Sequence, residues 1–139
     1  MKKLFTLFIA ALLAFQANAS NWVGLRNLPD TPVKSYIDLD SIRPYKEGDA
    51  KNSKDNYRQA FIEHDLSHMP LPGIEVVRIM SLYVVNCDQN KLTVLDSMSF
   101  DAGDHIVVPQ KRSILSDSDM QTVFPKTKVA YIYTLMCSE

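Results

Sequence analysis

The sequence predicts an α+β fold, an antiparallel sheet followed by a C-terminal segment whose apolar residues fall at helical spacing. Three observations predict it. The run "IEVVRIMSLYVVNC" (74–87) is rich in β-branched and aromatic residues, turns at "DQN" and returns as "KLTVLDSMSF" (91–100), which makes a long hairpin. Val129, Ile132, Tyr133 and Met136 recur with the period of a helix. The chain's two cysteines, Cys87 and Cys137, stand at the tip of that hairpin and in that tail.

The first element is not part of the fold. "MKKLFTLFIAALLAFQANAS" opens with Lys2 and Lys3, continues with an apolar stretch of 12 residues from Leu4 to Phe15, and reaches Ala17-Asn18-Ala19. Small side chains at those positions are what signal peptidase accepts, so residues 1–19 read as a secretory signal peptide cut before Ser20. As a helix, 12 apolar residues rise only about 18 Å, short of a bilayer core of about 30 Å. No cysteine follows the cut, so a lipid anchor is not expected. Of the 139 residues, 120 remain as one domain over 20–139. Losing the two lysines leaves 13 basic residues against 16 acidic ones, a net charge of −3. Such a chain is no general binder of nucleic acid or anionic membrane.

Within the domain, "WVGLRNL" (22–28) and "KSYI" (34–37) read as short strands separated by the turn "PDTP". "DLDSIRP" closes that unit, and "PYKEGDAKNSKDN" (44–56) is a charged loop. "YRQAFIE" (57–63) is the next strand, and "HDLSHMPLPG" (64–73) the next loop, stiffened by Pro70 and Pro72. Residues 74–87 are apolar on both faces, as a central strand covered on each side would be. One face carries Val77, Ile79, Tyr83 and Val85, the other Val76, Met80, Leu82 and Val84. On the return strand, strict alternation puts Leu92, Val94, Met98 and Phe100 on one face around Asp96. Arg78 and Asp96 are expected to pair across the hairpin. "DAGD" (101–104) turns into a last short strand, "HIVVP" (105–109). Thr127 is an N-cap candidate behind Pro125, and Ser116, Asp117 and Ser118 suit an earlier turn. Valine, tyrosine, isoleucine and threonine also favour strands, so the residues alone leave the tail between helix and strand.

Export gives the cysteines their meaning. An oxidising compartment pairs two cysteines of a small domain, which predicts a Cys87–Cys137 disulfide. Closing a separation of 50 residues restricts the unfolded chain by about 4 kcal/mol. No CxxC and no thiol-protease signature offers a competing role.

Motifs that would carry chemistry are weak. His64 and His68 in "HDLSH" are four apart, but without HExxH and before Met-Pro-Leu-Pro they read as a polar loop rather than a metal site. Asp38 and Asp40 could serve acid–base work, yet Asp and Ser at a strand end commonly bond turn amides. Ser113, Ser116 and Ser118 lack a GxSxG context, and the chain's four glycines form no phosphate-cradling run. Trp22, Tyr131 and Tyr133 are core or interface candidates. No enzyme activity, cofactor or metal is expected from these patterns.

"NWVGL", "SYIDLDSI" (35–42), "NCDQNKLTVLDSMSFDAG" (86–103) and the late "LMCSE" together resemble the bacterial surface-adhesin protein E family. Tyr36, Asp38, Ser41 and Ile42 match its Tyr-x-Asp-x-x-Ser-Ile element, Asn86 and Cys87 its mid-domain cysteine, and Cys137 its C-terminal one. The resemblance implies a six-stranded antiparallel sheet with a C-terminal helix locked on by the disulfide, and so favours a helix for the tail. It also implies adhesion to host matrix or plasma proteins, with some family members forming dimers. Two departures matter. The chain lacks the lipidation cysteine of some family adhesins, and its densest basic groups are only Lys111-Arg112 and Lys126/Lys128. The expectation is therefore an exported, non-enzymatic module that binds a protein partner, in the periplasm or outside the cell. The alternatives are a periplasmic envelope protein, or a small hydrolase using Asp38 or Asp40.

Overall fold

The computed structural model describes residues 20–25, 32–69, 73, 75–108 and 113–138. Residues 1–19, read above as a signal peptide, "RNLPDT", Pro70, Pro72, Pro109 and Lys111-Arg112 lie outside the described residues.

The described residues form one antiparallel sheet. Its strands are β1 (Trp22–Gly24), β2 (Lys34–Asp38), β3 (Arg43–Pro44), β4 (Tyr57–Asp65), β5 (Arg78–Asn86), β6 (Lys91–Phe100), β7 (Ile106–Val108) and β8 (Gln121–Thr122). They run in the order β1-β2-β4-β5-β6-β7, with β3 also beside β4 and β8 also beside β6. That makes eight strands rather than six, because β3 and β8 are two-residue bridges too short to leave a pattern in the sequence. The hairpin of β5 and β6 pairs from Arg78↔Phe100 to Asn86↔Lys91 and turns through Cys87–Asn90. Asn86 holds this turn: its Oδ1 accepts the amides of Asp88 and Gln89 at 3.1 and 3.0 Å. Asn90, at φ 55, takes the left-handed conformation that asparagine tolerates.

The tail is a helix, α1 (Lys128–Cys137). Thr127 caps it, accepting the Ala130 amide at 3.1 Å. Ile132 and Met136 are its buried residues and pack with Ile37, Ala60, Ile62, Val85 and Leu92. The strand-forming side chains are tolerated because tertiary burial, not propensity, fixes a short helix. The Cys87–Cys137 disulfide joins the helix end to the hairpin tip, with Cα atoms 5.7 Å apart. Beside it, the Tyr133 hydroxyl donates to the Cys87 carbonyl at 2.7 Å.

The opposite face of the sheet has its own core of Tyr45, Ala50, Tyr57, Val84, Leu95, Leu115 and Met120. Loop segments 45–56 and 113–120 cover it. So β5 is covered on both sides, Val85 under the helix and Val84 under the loops. The two covering loops meet at Gly48. Its φ of +58 suits glycine, and a Cβ there would lie 2.3 Å from the Leu115 carbonyl oxygen.

Alternation along β6 is broken, contrary to the sequence expectation. A bulge opposite Leu82/Tyr83 shifts the register, so Leu92 and Val94 pair with Val85 and Tyr83, whereas Asp96 and Met98 pair with Leu82 and Met80. One extra residue on the bulged strand reverses which face its side chains take. Leu92 thus belongs to the helix-side core, while Met98 faces the other way.

Candidate functional site

Two buried polar arrangements and one apolar groove stand out. The first lies under α1. Ser35 on β2 faces His64 on β4 across a paired position, and the Ser35 hydroxyl is 2.8 Å from His64 Nδ1. Lys128, in the first turn of α1, donates to Ser35 Oγ at 2.9 Å and to the Val33 carbonyl at 3.2 Å. The other ring nitrogen of His64 lies 3.2 Å from the Tyr83 hydroxyl. Because the ammonium can only donate, Ser35 Oγ accepts from Lys128, while the imidazole tautomer sets the direction of the Ser35–His64 and His64–Tyr83 bonds. Burial, reinforced by the Lys128 charge, pushes the His64 pKa below its ordinary value. Burial also lowers the Lys128 pKa and raises that of Tyr83.

A serine beside a neutral histidine has the chemistry of an activated nucleophile. Ser35 is only 1% exposed, however, so this conformation gives a substrate no route to its hydroxyl. The arrangement instead fastens the helix N-terminus to β2.

The sequence placed His64 in a loop; it is instead a strand residue, paired with Ser35 and Ile79. Pairing continues to Asp65, and the turn begins only at Ser67, where Asp65 Oδ1 accepts the Ser67 amide at 2.9 Å. His68 is exposed in that turn. Among the described residues, no group of three or more His, Cys, Asp or Glu side chains is arranged to hold a metal ion. Ser35 and Lys128 were missed, because 93 residues separate them and only packing of the helix brings them together.

The second arrangement is a cleft on the loop side. A cavity of about 230 Å³ is lined by Arg43, Gln59, Phe61, Leu82 and Asp96, with Glu47 also on its wall. A smaller one of about 50 Å³ shares Phe61, Leu82 and Asp96 and adds Met80 and Met98. Asp96 is 5% exposed, and one of its carboxylate oxygens accepts the Ser113 amide at 2.9 Å. With the Gln59 amide turned to present its oxygen, that oxygen accepts from Arg43 Nε and Nη2 at 3.0 and 3.1 Å.

The expected Arg78–Asp96 pair is not made. Arg78 binds Glu63 at 3.1 Å and Asp104 at 2.9 Å, and lies 4.1 Å over the Phe100 ring. Its direct partner across the hairpin is Phe100, four residues along from Asp96. Stacking on that ring turns the guanidinium toward Glu63 and Asp104.

Asp38 and Asp40 serve the turn, as their position suggests. Asp38 Oδ1 accepts the Asp40 amide and Asp40 Oδ2 the Asn21 amide, each at 3.2 Å. Ser41 Oγ donates to the Asp38 carbonyl at 2.6 Å and accepts the Phe61 amide at 2.8 Å. Neither aspartate lines the loop-side cleft.

The groove lies between β8 and the start of α1. It encloses about 480 Å³ and is lined by Leu92, Gln121, Thr122, Phe124, Thr127 and Val129. Phe124 is 69% exposed there. No described helix is long and apolar enough to cross a membrane. No family model matches this chain, and a comparison with curated proteins finds no match.

Proposed function

We propose that this chain is an exported, non-enzymatic binding module that contacts another protein through the groove between β8 and α1. The observation that carries this reading is Phe124, a large aromatic side chain left 69% exposed beside a concave apolar surface. Exposed aromatics at such grooves are the usual anchors of protein recognition. The supporting rigidity is local: Thr127 caps α1 and also donates to the Phe124 carbonyl at 2.8 Å, which fixes the rim. Export is supported by the signal-like residues 1–19 and by a disulfide that an oxidising compartment would keep.

The likeness to surface-adhesin protein E in "SYIDLDSI" and "NCDQNKLTVLDSMSFDAG" supports an adhesin version, with host matrix or plasma proteins as partners. Binding of residues 20–139 to immobilised laminin, vitronectin and plasminogen tests it. Saturable binding that Phe124→Ala weakens at least about tenfold supports the adhesin version. No binding at micromolar concentration leaves the envelope version, in which the partner is periplasmic. Separating periplasm, membrane and medium of the native cells then shows which compartment holds the protein. Retention in the cytoplasm with residues 1–19 uncut would end both versions.

A further inference from the structure

We infer that the loop-side cleft is a binding site for a small organic cation, an ammonium or guanidinium carried on an apolar stem, with Asp96 as its counter-ion. The argument begins with the bulge in β6. It turns Asp96 from the helix side to the loop side, where the carboxylate lines both cavities at 5% exposure. A carboxylate removed from water this far normally has a cation beside it or several donors around it. Asp96 has the Ser113 amide at 2.9 Å, and no lysine or arginine among the described residues forms an ion pair with it. Arg78, the partner expected from the sequence, is held by Glu63, Asp104 and Phe100.

The walls define the rest of the ligand. Phe61, Met80, Leu82 and Met98 give an apolar lining to the smaller cavity on which Asp96 opens. An aromatic ring and two thioethers are polarisable neighbours for a cation as well as good contacts for a hydrocarbon stem. Among the described residues, the charged ones on the cleft are Arg43, Glu47 and Asp96. Arg43 is directed onto the Gln59 oxygen at the β3–β4 end of the cleft. An anion would meet the buried carboxylate; a cation meets its complement in a poorly solvated place, where the attraction is strongest. A volume of about 230 Å³ is below the roughly 300–1,000 Å³ of drug-sized sites, which limits the ligand to a small amine.

The probe is phenethylammonium, with 2-phenylethanol as its uncharged counterpart, titrated into residues 20–139 and followed by calorimetry and by the amide resonance of Ser113. Saturable binding of the amine is expected, with the alcohol at least about tenfold weaker, because a charge-assisted contact is lost. Asp96→Asn keeps an acceptor for the Ser113 amide and should lose that preference. Met98→Lys plants the cation on the adjacent same-face position; it should block the probe and melt higher than Met98→Gln. Equal binding of amine and alcohol, no binding of either at millimolar concentration, or an Asp96→Asn variant that keeps the preference would each overturn the proposal. Among the described residues the cleft and the β8–α1 groove share no lining residue, so none of these failures bears on the protein-binding reading.

Discussion

Lys128, in the first turn of α1, reaches the hydroxyl of Ser35 on β2 at 2.9 Å, and that hydroxyl is in turn 2.8 Å from His64. A surface-type side chain is thereby drawn into the joint between helix and sheet. Its ammonium lies one hydroxyl away from an imidazole that burial and that same ammonium keep neutral.

Acid should loosen this joint. The folded pKa of His64 is lowered relative to the ordinary 6.5, so the unfolded chain takes up the proton first as pH falls. The stability due to neutral His64 is therefore complete above about pH 6.5 and declines below it until the folded pKa is passed. Urea unfolding at pH 7.5 and pH 5 should show this fall, and His64→Gln should flatten it. Lys128→Met should move the His64 titration, followed by NMR, upward.

The disulfide should be the largest single local contributor to stability. Cys87→Ser/Cys137→Ser removes a link across 50 residues and should cost about 4 kcal/mol in urea unfolding. The same loss on reduction of the native protein, with unchanged far-ultraviolet dichroism at low urea, would locate the effect in the unfolded chain. A cost under about 1 kcal/mol would show that α1 is held by packing alone.

Gly48 should not tolerate alanine. The added Cβ would meet the Leu115 carbonyl at 2.3 Å, at a φ of +58 that side chains resist. The expected destabilisation is about 1–3 kcal/mol. Gly73, also at positive φ but with nothing among the described residues within 4 Å, should lose less on the same change. Thermal melting of the two variants side by side checks the contrast.

Tyr57→Phe should weaken the covering loops. The Tyr57 hydroxyl donates to Asp117 at 2.6 Å, and burial together with that carboxylate pushes its pKa up to about 12. The raised value means that the bond stabilises the fold below pH 10, the ordinary tyrosine value, and is lost as pH rises toward about 12. Phenylalanine should lower the melting temperature at neutral pH and remove the tyrosine's share of the alkaline loss.

Arg78 should resist replacement by lysine. Its planar group serves Glu63, Asp104 and the face of Phe100 at once, which an ammonium cannot reproduce. These contacts are partly exposed, so Arg78→Lys should cost only about 1 kcal/mol, reduced further in salt. An isoenergetic lysine variant would show that the stacking contributes nothing.

Much of the fold was legible in the chain. The hairpin of β5 and β6 and the Cys87–Cys137 pairing follow from local composition and a count of cysteines, and Thr127 was legible as the cap of a tail whose residues alone fit helix or strand. Such features depend on near neighbours, whose spacing the sequence displays directly. Asp38 and Ser41 are legible as turn residues for the same reason, since each bonds within its own turn, whereas the Asp40 carboxylate reaches the Asn21 amide.

Other features depend on distant segments meeting. The bulge opposite Leu82/Tyr83 is a single-residue slip that no composition marks, yet it sends Asp96 to the loop side and separates Met98 from Leu92. Ser35 and Lys128 meet only because α1 packs back across β2, and Arg78 chooses Glu63 and Asp104 over Asp96 because the Phe100 ring steers it. Local pattern carries the long hairpin, the helix cap and the staple, whereas β3, β8 and the helical state of the tail required the packed fold. Register and packing decided which polar groups became neighbours, because a shift of one residue reverses a strand's faces while leaving its hydrophobic content unchanged.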